Sequence, residues 1–181
     1  MSHSPHATPK KIAILGPESS GKTTLVQTLA SMLDAFAVPE YFRFYWEAKR
    51  YTKDHALWSE DEFIHMAAEQ NRFEDLYAVR SKNVLLCDTS AWQVAAWNSY
   101  YLGSSSTQVV KLAQSRSYDL ICLCRPDIPF VQDGVRDGPQ SREAVYQLLT
   151  TLLTHTGLSF LDLSGDLQAR TSIVLNALKA L

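Results

Sequence analysis

The sequence predicts an α/β domain: a doubly wound, parallel, five-stranded sheet with helices on both faces and a lid segment. Three observations predict it. Short apolar runs alternate with amphipathic segments along most of the 181-residue chain, the pattern of parallel strands buried beneath crossover helices. A loop bracketed by Gly16 and Gly21 joins the first apolar run to the first helix. Residues 125–139 (RPDIPFVQDGVRDGP) carry three prolines and two glycines among alternating charges, a stretch unusual inside a compact domain unless it serves as a lid.

The elements follow in order. Lys11 to Gly16 is an apolar run ending in glycine, a strand, and from Lys22 the apolar positions Leu25, Leu29, Met32 and Leu33 recur at helical spacing. Ala35 to Val38 is a second strand, stopped by Pro39. Glu60 to Lys82 lacks Gly and Pro and follows Ser59 with acidic residues in its first turn, so it is a helix. Asn83 to Cys87 and Asp119 to Cys124 are further buried strands, separated by helices over Ser90 to Tyr101 and Thr107 to Ser117. Gln140 to His155 is helical, Leu158 to Leu163 is the fifth strand, and Asp166 to Leu181 closes the chain as a helix. Residues 1–10 read as a flexible N-terminal segment and 11–181 as one domain.

Composition excludes several classes. With 20% charged residues and a net charge of -2, neither a polybasic nucleic-acid binder nor an acidic tail is indicated. No apolar run approaches the roughly 18 residues of a membrane span, and the opening residues, with His3, Pro5, His6 and Pro9, are polar. No membrane association is expected. Cys87, Cys122 and Cys124 lie within strand-like runs without zinc-site spacing and read as reduced core thiols of a cytoplasmic protein.

Gly16-Pro17-Glu18-Ser19-Ser20-Gly21-Lys22-Thr23 matches G-x-x-x-x-G-K-[ST] between a strand and a helix. The glycines let successive N–H groups point at phosphate, Lys22 reaches the β and γ phosphates, and Thr23 offers its hydroxyl to Mg²⁺. A P-loop NTPase fold binding ATP and Mg²⁺ follows, and Thr24 extends the ATP-binding set.

Val84 to Cys87 ends in Asp88, which a strand beside the first would deliver to the same magnesium; the alternative is that Asp88 starts the helix from Ser90. After the second strand, Glu40, Tyr41 and Arg43 are placed to line the crevice where a phosphoryl acceptor meets the γ phosphate. Glu40 is a candidate general base and Tyr41 a stacking platform. The alternative is a capped helix start with an arginine ion pair. Gln70 and Arg72 face the acceptor if their helix borders the crevice, and Trp92 lies near it. In the lid, Arg136 between Gly134 and Gly138 is the candidate for stabilising the moving phosphoryl group, with Arg142 behind it; the alternative is a solvated Arg136 paired with Asp133 or Asp137. His55, His65 and His155 have no metal-site spacing and read as ordinary histidines.

GPESSGKTTL, VPEYFR, Ala68-Glu69-Gln70, LLCDT, YDLICLCRPDIPFVQDGVRD, Arg142 and Ser164-Gly165 occur in that order. Together they resemble the ribosylnicotinamide kinase domain of NadR-type proteins, from about Lys11 to the C-terminus. The resemblance implies a P-loop nucleoside-kinase-like fold and ATP-dependent phosphorylation of the 5′ hydroxyl of nicotinamide riboside to the mononucleotide, a step of NAD synthesis. Carried over, Gly16 to Thr23 bind ATP, Asp88 serves the metal or the ribose, Glu40 and Tyr41 contact the nucleoside, and Arg136 closes over the phosphates. Ser90 stands where the family often has an acid, and Phe42 and Phe44 depart from its frequent E-Y-G-R-[DE]. The other functions weighed are a kinase for a different nucleoside or metabolite, and an ATP-binding switch acting through a protein partner.

Overall fold

The structure, a computed structural model, describes residues 8–131 and 140–181. Strand β1 (Lys10–Leu15) occupies the centre of a five-stranded sheet. β3 (Val84–Asp88) flanks it on one side and β4 (Leu120–Cys124) on the other. β2 (Phe36–Val38) and β5 (Leu161–Leu163) form the edges, and every pairing is parallel. The expected five-stranded α/β sheet is the fold, and all five strands run toward one edge.

The helices are α1 (Lys22–Leu33), α2 (Tyr41–Lys49), α3 (Glu60–Ala78), α4 (Ala91–Leu102), α5 (Thr107–Gln114), α6 (Gln140–His155) and α7 (Leu167–Leu178). Side chains alternate across β1, as the period of a strand requires. Ile12 and Ile14 pack with Leu25 and Leu29 of α1 and Val174 of α7, whereas Ala13 and Leu15 face Phe63, Met66, Trp92 and Leu149 from α3, α4 and α6. Both faces are covered, which is why β1, β3 and β4 carry almost continuous apolar runs.

Several ends differ from expectation. α3 opens with the capping box of Ser59 and Glu62 but stops at Ala78 rather than Lys82. Ser81 turns its N–H and Oγ back onto Tyr77 O, at 3.2 and 3.1 Å, and closes the helix early. α5 ends at Gln114, where Ser115 Oγ bonds Leu112 O at 2.7 Å, and β5 is confined to the last three residues of its apolar run. α2 was expected only as an alternative to the acceptor loop. Its aromatic string suits a strand as readily, but Phe42, Tyr45 and Trp46 share one helical face around the Trp58 ring, with centroids at 5.6, 6.5 and 6.0 Å. The three cysteines are buried and free, as expected. Among the described residues no helix is long and apolar enough to cross a membrane.

A buried ionic cluster ties α3 to the sheet. The Glu74 side chain is fully buried, accepts the Tyr118 hydroxyl at 2.7 Å and lies 3.5 Å from Lys11 Nζ. Burial pushes its carboxyl above the ordinary value of 4.5, against the opposing Tyr118 bond and the charges of Lys11 and Arg116. A carboxyl raised in the folded state supports folding while protonated, and that support is lost as pH climbs from the ordinary value through the folded one. The melting temperature of wild type relative to Glu74→Gln should therefore fall as pH rises from 4.5; a difference independent of pH contradicts the assignment.

Candidate active site

The loop between β1 and α1 adopts its turn through Gly16 at φ 145° and Gly21 at φ 82°, with Ser19 also left-handed at φ 50°. Gly16 has no room for a side chain: a Cβ there would sit 2.7 Å from Cys124 O. One of the loop's carbonyls is held by its own residues. Ser20 Oγ and Lys22 Nζ both donate to Pro17 O, at 2.7 and 2.8 Å. The inner side of the loop, from Ser19 to Thr24, lines a cleft of about 360 Å³ together with Arg43, Ile128, Pro129 and Val131.

Adjacent strands bring Asp88 level with Ile14, and its Oδ2 accepts Thr23 Oγ1 at 2.6 Å. Asp88 is 5% exposed, and its Oδ1 is a buried oxygen with no hydrogen-bond partner among the described residues. One hydroxyl and one orphaned carboxylate oxygen at a loop built for phosphate fit Mg²⁺, which takes one or two protein oxygens and completes its shell with phosphate and water. The alternative of Asp88 as a helix cap is not what is seen: the cap of α4 is Ser90, whose Oγ accepts Trp92 N–H at 3.2 Å. Between them, Thr89 sits at φ 78°, a strained conformation for a β-branched residue.

After β2, Glu40 is the N-cap residue of α2, 2% exposed, and its Oε2 accepts Arg43 Nε at 3.1 Å. The helix start with an arginine pair is thus present, and Arg43 nonetheless reaches the cleft wall. Tyr41 packs edge-on against Phe73 and His65, with its hydroxyl 3.0 Å from His65 Nε2. Gln70 is buried; Oε1 accepts Tyr41 N–H at 2.8 Å and Nε2 donates to Pro39 O at 3.5 Å. Its side chain holds the backbone on either side of Glu40. Arg72 lies on the surface, 3.8 Å from Glu69. Trp92 is 1% exposed in the aromatic core beneath the crevice, so direct contact between its ring and an acceptor does not follow from its position.

Residues 11–170 match the family described as AAA domain. The chain belongs to that family. It is 30% identical over 153 residues to the trifunctional NAD biosynthesis/regulator protein NadR of Salmonella typhimurium, covering 83% of this chain and 37% of that protein. A NadR crystal structure in complex with NAD and AMP-PNP superposes with a TM-score of 0.77 at 23% identity, covering 96% of this chain and 49% of that one. Deoxyadenosine kinase from M. mycoides with bound dCTP gives 0.61 at 14%, covering 94% and 100%. The NadR resemblance drawn from the motifs therefore holds over most of the chain, which spans just over a third of the Salmonella relative.

In this AAA domain, residues on either side of the segment expected to be a lid are fastened to the loop. Val131 N–H donates to Ser19 Oγ at 2.8 Å, Ser141 Oγ donates to Glu18, and Arg142 Nη2 donates to Ser19 O and Ile128 O at 3.2 and 3.0 Å, its guanidinium 5.8 Å from the Phe130 ring. Burial pulls the Arg142 guanidinium below its ordinary value, opposed by Glu18 and Asp127. Arg136 lies outside the described residues. Ser141 was missed in the sequence because no motif includes it, and Gln93 likewise: buried in α4, it accepts Gly16 N–H through Oε1 at 3.0 Å. Arg170 of α7 was missed too, being about 150 residues from the loop that it touches. Burial pushes the Cys124 thiol up to about 11, against the charges of Arg170 and Lys22 nearby.

Gly16→Ala should cost roughly 1–3 kcal/mol of stability through strain and the clash with Cys124 O, read as a lower denaturation midpoint. An unchanged midpoint would mean that the turn is not held as described.

Proposed function

We propose that the chain transfers the γ-phosphoryl group of ATP to a nucleoside hydroxyl, with nicotinamide riboside as the acceptor and the mononucleotide as product. The observation that carries the reading is the Thr23–Asp88 pair at the mouth of the phosphate loop, with Glu40 and Arg43 at the start of α2, the helix that follows β2. Likeness to NadR and to nucleoside kinases supports a phosphotransferase, and the NadR structure with AMP-PNP supports ATP as donor.

Residues 16–24 cradle the phosphates of ATP, with Lys22 exchanging Pro17 O for phosphate oxygen. Thr23 and Asp88 would hold Mg²⁺, whose charge would offset that of the phosphates. Glu40 takes the proton of the acceptor hydroxyl as its oxygen bonds to the γ phosphorus and the bond to the ADP oxygen breaks. Arg136 stabilises the migrating group from the lid, and Arg142 steadies the loop beneath it. Most of the acceleration comes from alignment and charge, since phosphoryl transfer asks for little covalent help from the protein. Excluding water from the cleft keeps it from replacing the acceptor.

ADP formation with ATP and Mg²⁺, screened across nucleosides, tests the reading. Nicotinamide riboside should stimulate strongly and give the mononucleotide. Stimulation by another nucleoside alone would change the acceptor, and none at all with AMP-PNP still bound would favour a nucleotide switch. Lys22→Ala should abolish turnover, and Glu40→Gln should keep AMP-PNP binding while losing turnover by about 10²–10⁴-fold. Wild-type turnover in Glu40→Gln would remove Glu40 from the mechanism.

A further inference from the structure

A trans peptide is planar, with N–H and C=O pointing in opposite directions. A loop that turns its N–H groups toward an anion must therefore turn its carbonyls away, and buried carbonyls need donors there. Pro17 O is served from within the loop, and Ser19 O by Arg142. Ser20 O receives Arg170 Nη1 at 2.5 Å.

Arg170 is 2% exposed in the first turn of α7. Its Nη2 donates to Arg125 O at 3.0 Å and to the Asp127 carboxylate, whose Oδ2 accepts Gly165 N–H at 2.8 Å. One guanidinium thereby joins the phosphate loop, the end of β4 and the turn before α7. A Cβ placed on Gly21 would lie 3.7 Å from Arg170 Nη1, so the cation packs against the residue whose N–H completes the Ser20–Gly21 peptide.

We infer that Arg170 is a positioning residue for phosphate binding: through Ser20 O it fixes and polarises the Ser20–Gly21 peptide, so that Gly21 N–H is aimed at the nucleotide phosphates and donates more strongly. Hydrogen bonds in series polarise one another, and a charged donor on the carbonyl side strengthens the amide on the other. Asp127 keeps the guanidinium in place without reaching the loop itself. The inference rests on the proposed binding of ATP, though not on the identity of the acceptor.

The test is the affinity for AMP-PNP with Mg²⁺, by calorimetry, alongside melting temperature. Arg170→Met should weaken binding about tenfold, as expected for losing a charged hydrogen bond that orients a donor, and Arg170→Lys should recover part of it. Asp127→Asn should weaken it less. Arg116→Ala, which breaks the remote pair with Asp75, is the control for destabilisation alone and should leave affinity unchanged. If turnover is found, the KM for ATP should rise in Arg170→Met and the KM for the nucleoside should not. Affinity within twofold of wild type in a folded Arg170→Met overturns the inference, as does an equal loss in Arg116→Ala. Should Arg170→Met fail to fold, wild-type affinity in both Arg170→Lys and Asp127→Asn overturns it. Wild type that binds no AMP-PNP overturns this inference and the ATP reading together, whereas binding without turnover on any nucleoside overturns the kinase reading alone.

Discussion

Peptide planes in the loop after β1 are the constraint on which the rest of the site depends. Amides can converge on an anion only if the carbonyls behind them are satisfied, and here the donors come from the loop's own Ser20 and Lys22, from Arg142 on α6 and from Arg170 on α7. Both helices lie far along the chain. A short loop therefore takes its shape from a large part of the domain, and the sheet makes that possible by bringing the ends of β1, β3 and β4 to one edge.

The two faces of the sheet divide the work. On one, α1 and α7 pack together over Ile12 and Ile14, which sets Arg170 behind the loop. On the other, α3, α4 and α6 enclose the aromatic core, which places Gln93 against Gly16 and Gln70 against the backbone of Pro39 and Tyr41. Two buried glutamines thus brace the loop after β1 and the segment between β2 and α2. Their roles explain amide side chains at positions where an apolar residue would otherwise pack.

What the sequence revealed and what it concealed divide along physical lines. The phosphate loop was legible because its requirements are local: two glycines, a lysine and a threonine in fixed register. The strands were legible because burial on both faces demands continuous apolar runs. Helix α2 was not, since YFRFYW satisfies strand and helix patterns alike until Trp58 arrives to cover one face. Gln93, Ser141 and Arg170 act through long-range hydrogen bonds, which leave no periodic trace. Trp92, an aromatic residue close in sequence to the end of β3, is packed in the aromatic core. Glu40 is paired with Arg43 at the start of α2, the alternative that the sequence offered, while Arg43 itself lines the cleft.

Magnesium dependence of nucleotide binding tests the central claim most directly. Titration of AMP-PNP into wild type and Asp88→Asn, with and without Mg²⁺, should show binding to wild type strengthened by the ion and that strengthening largely absent in the variant. Wild-type binding that is indifferent to Mg²⁺, or an Asp88→Asn protein that keeps the full effect of the ion, would contradict a site built on Thr23 and Asp88.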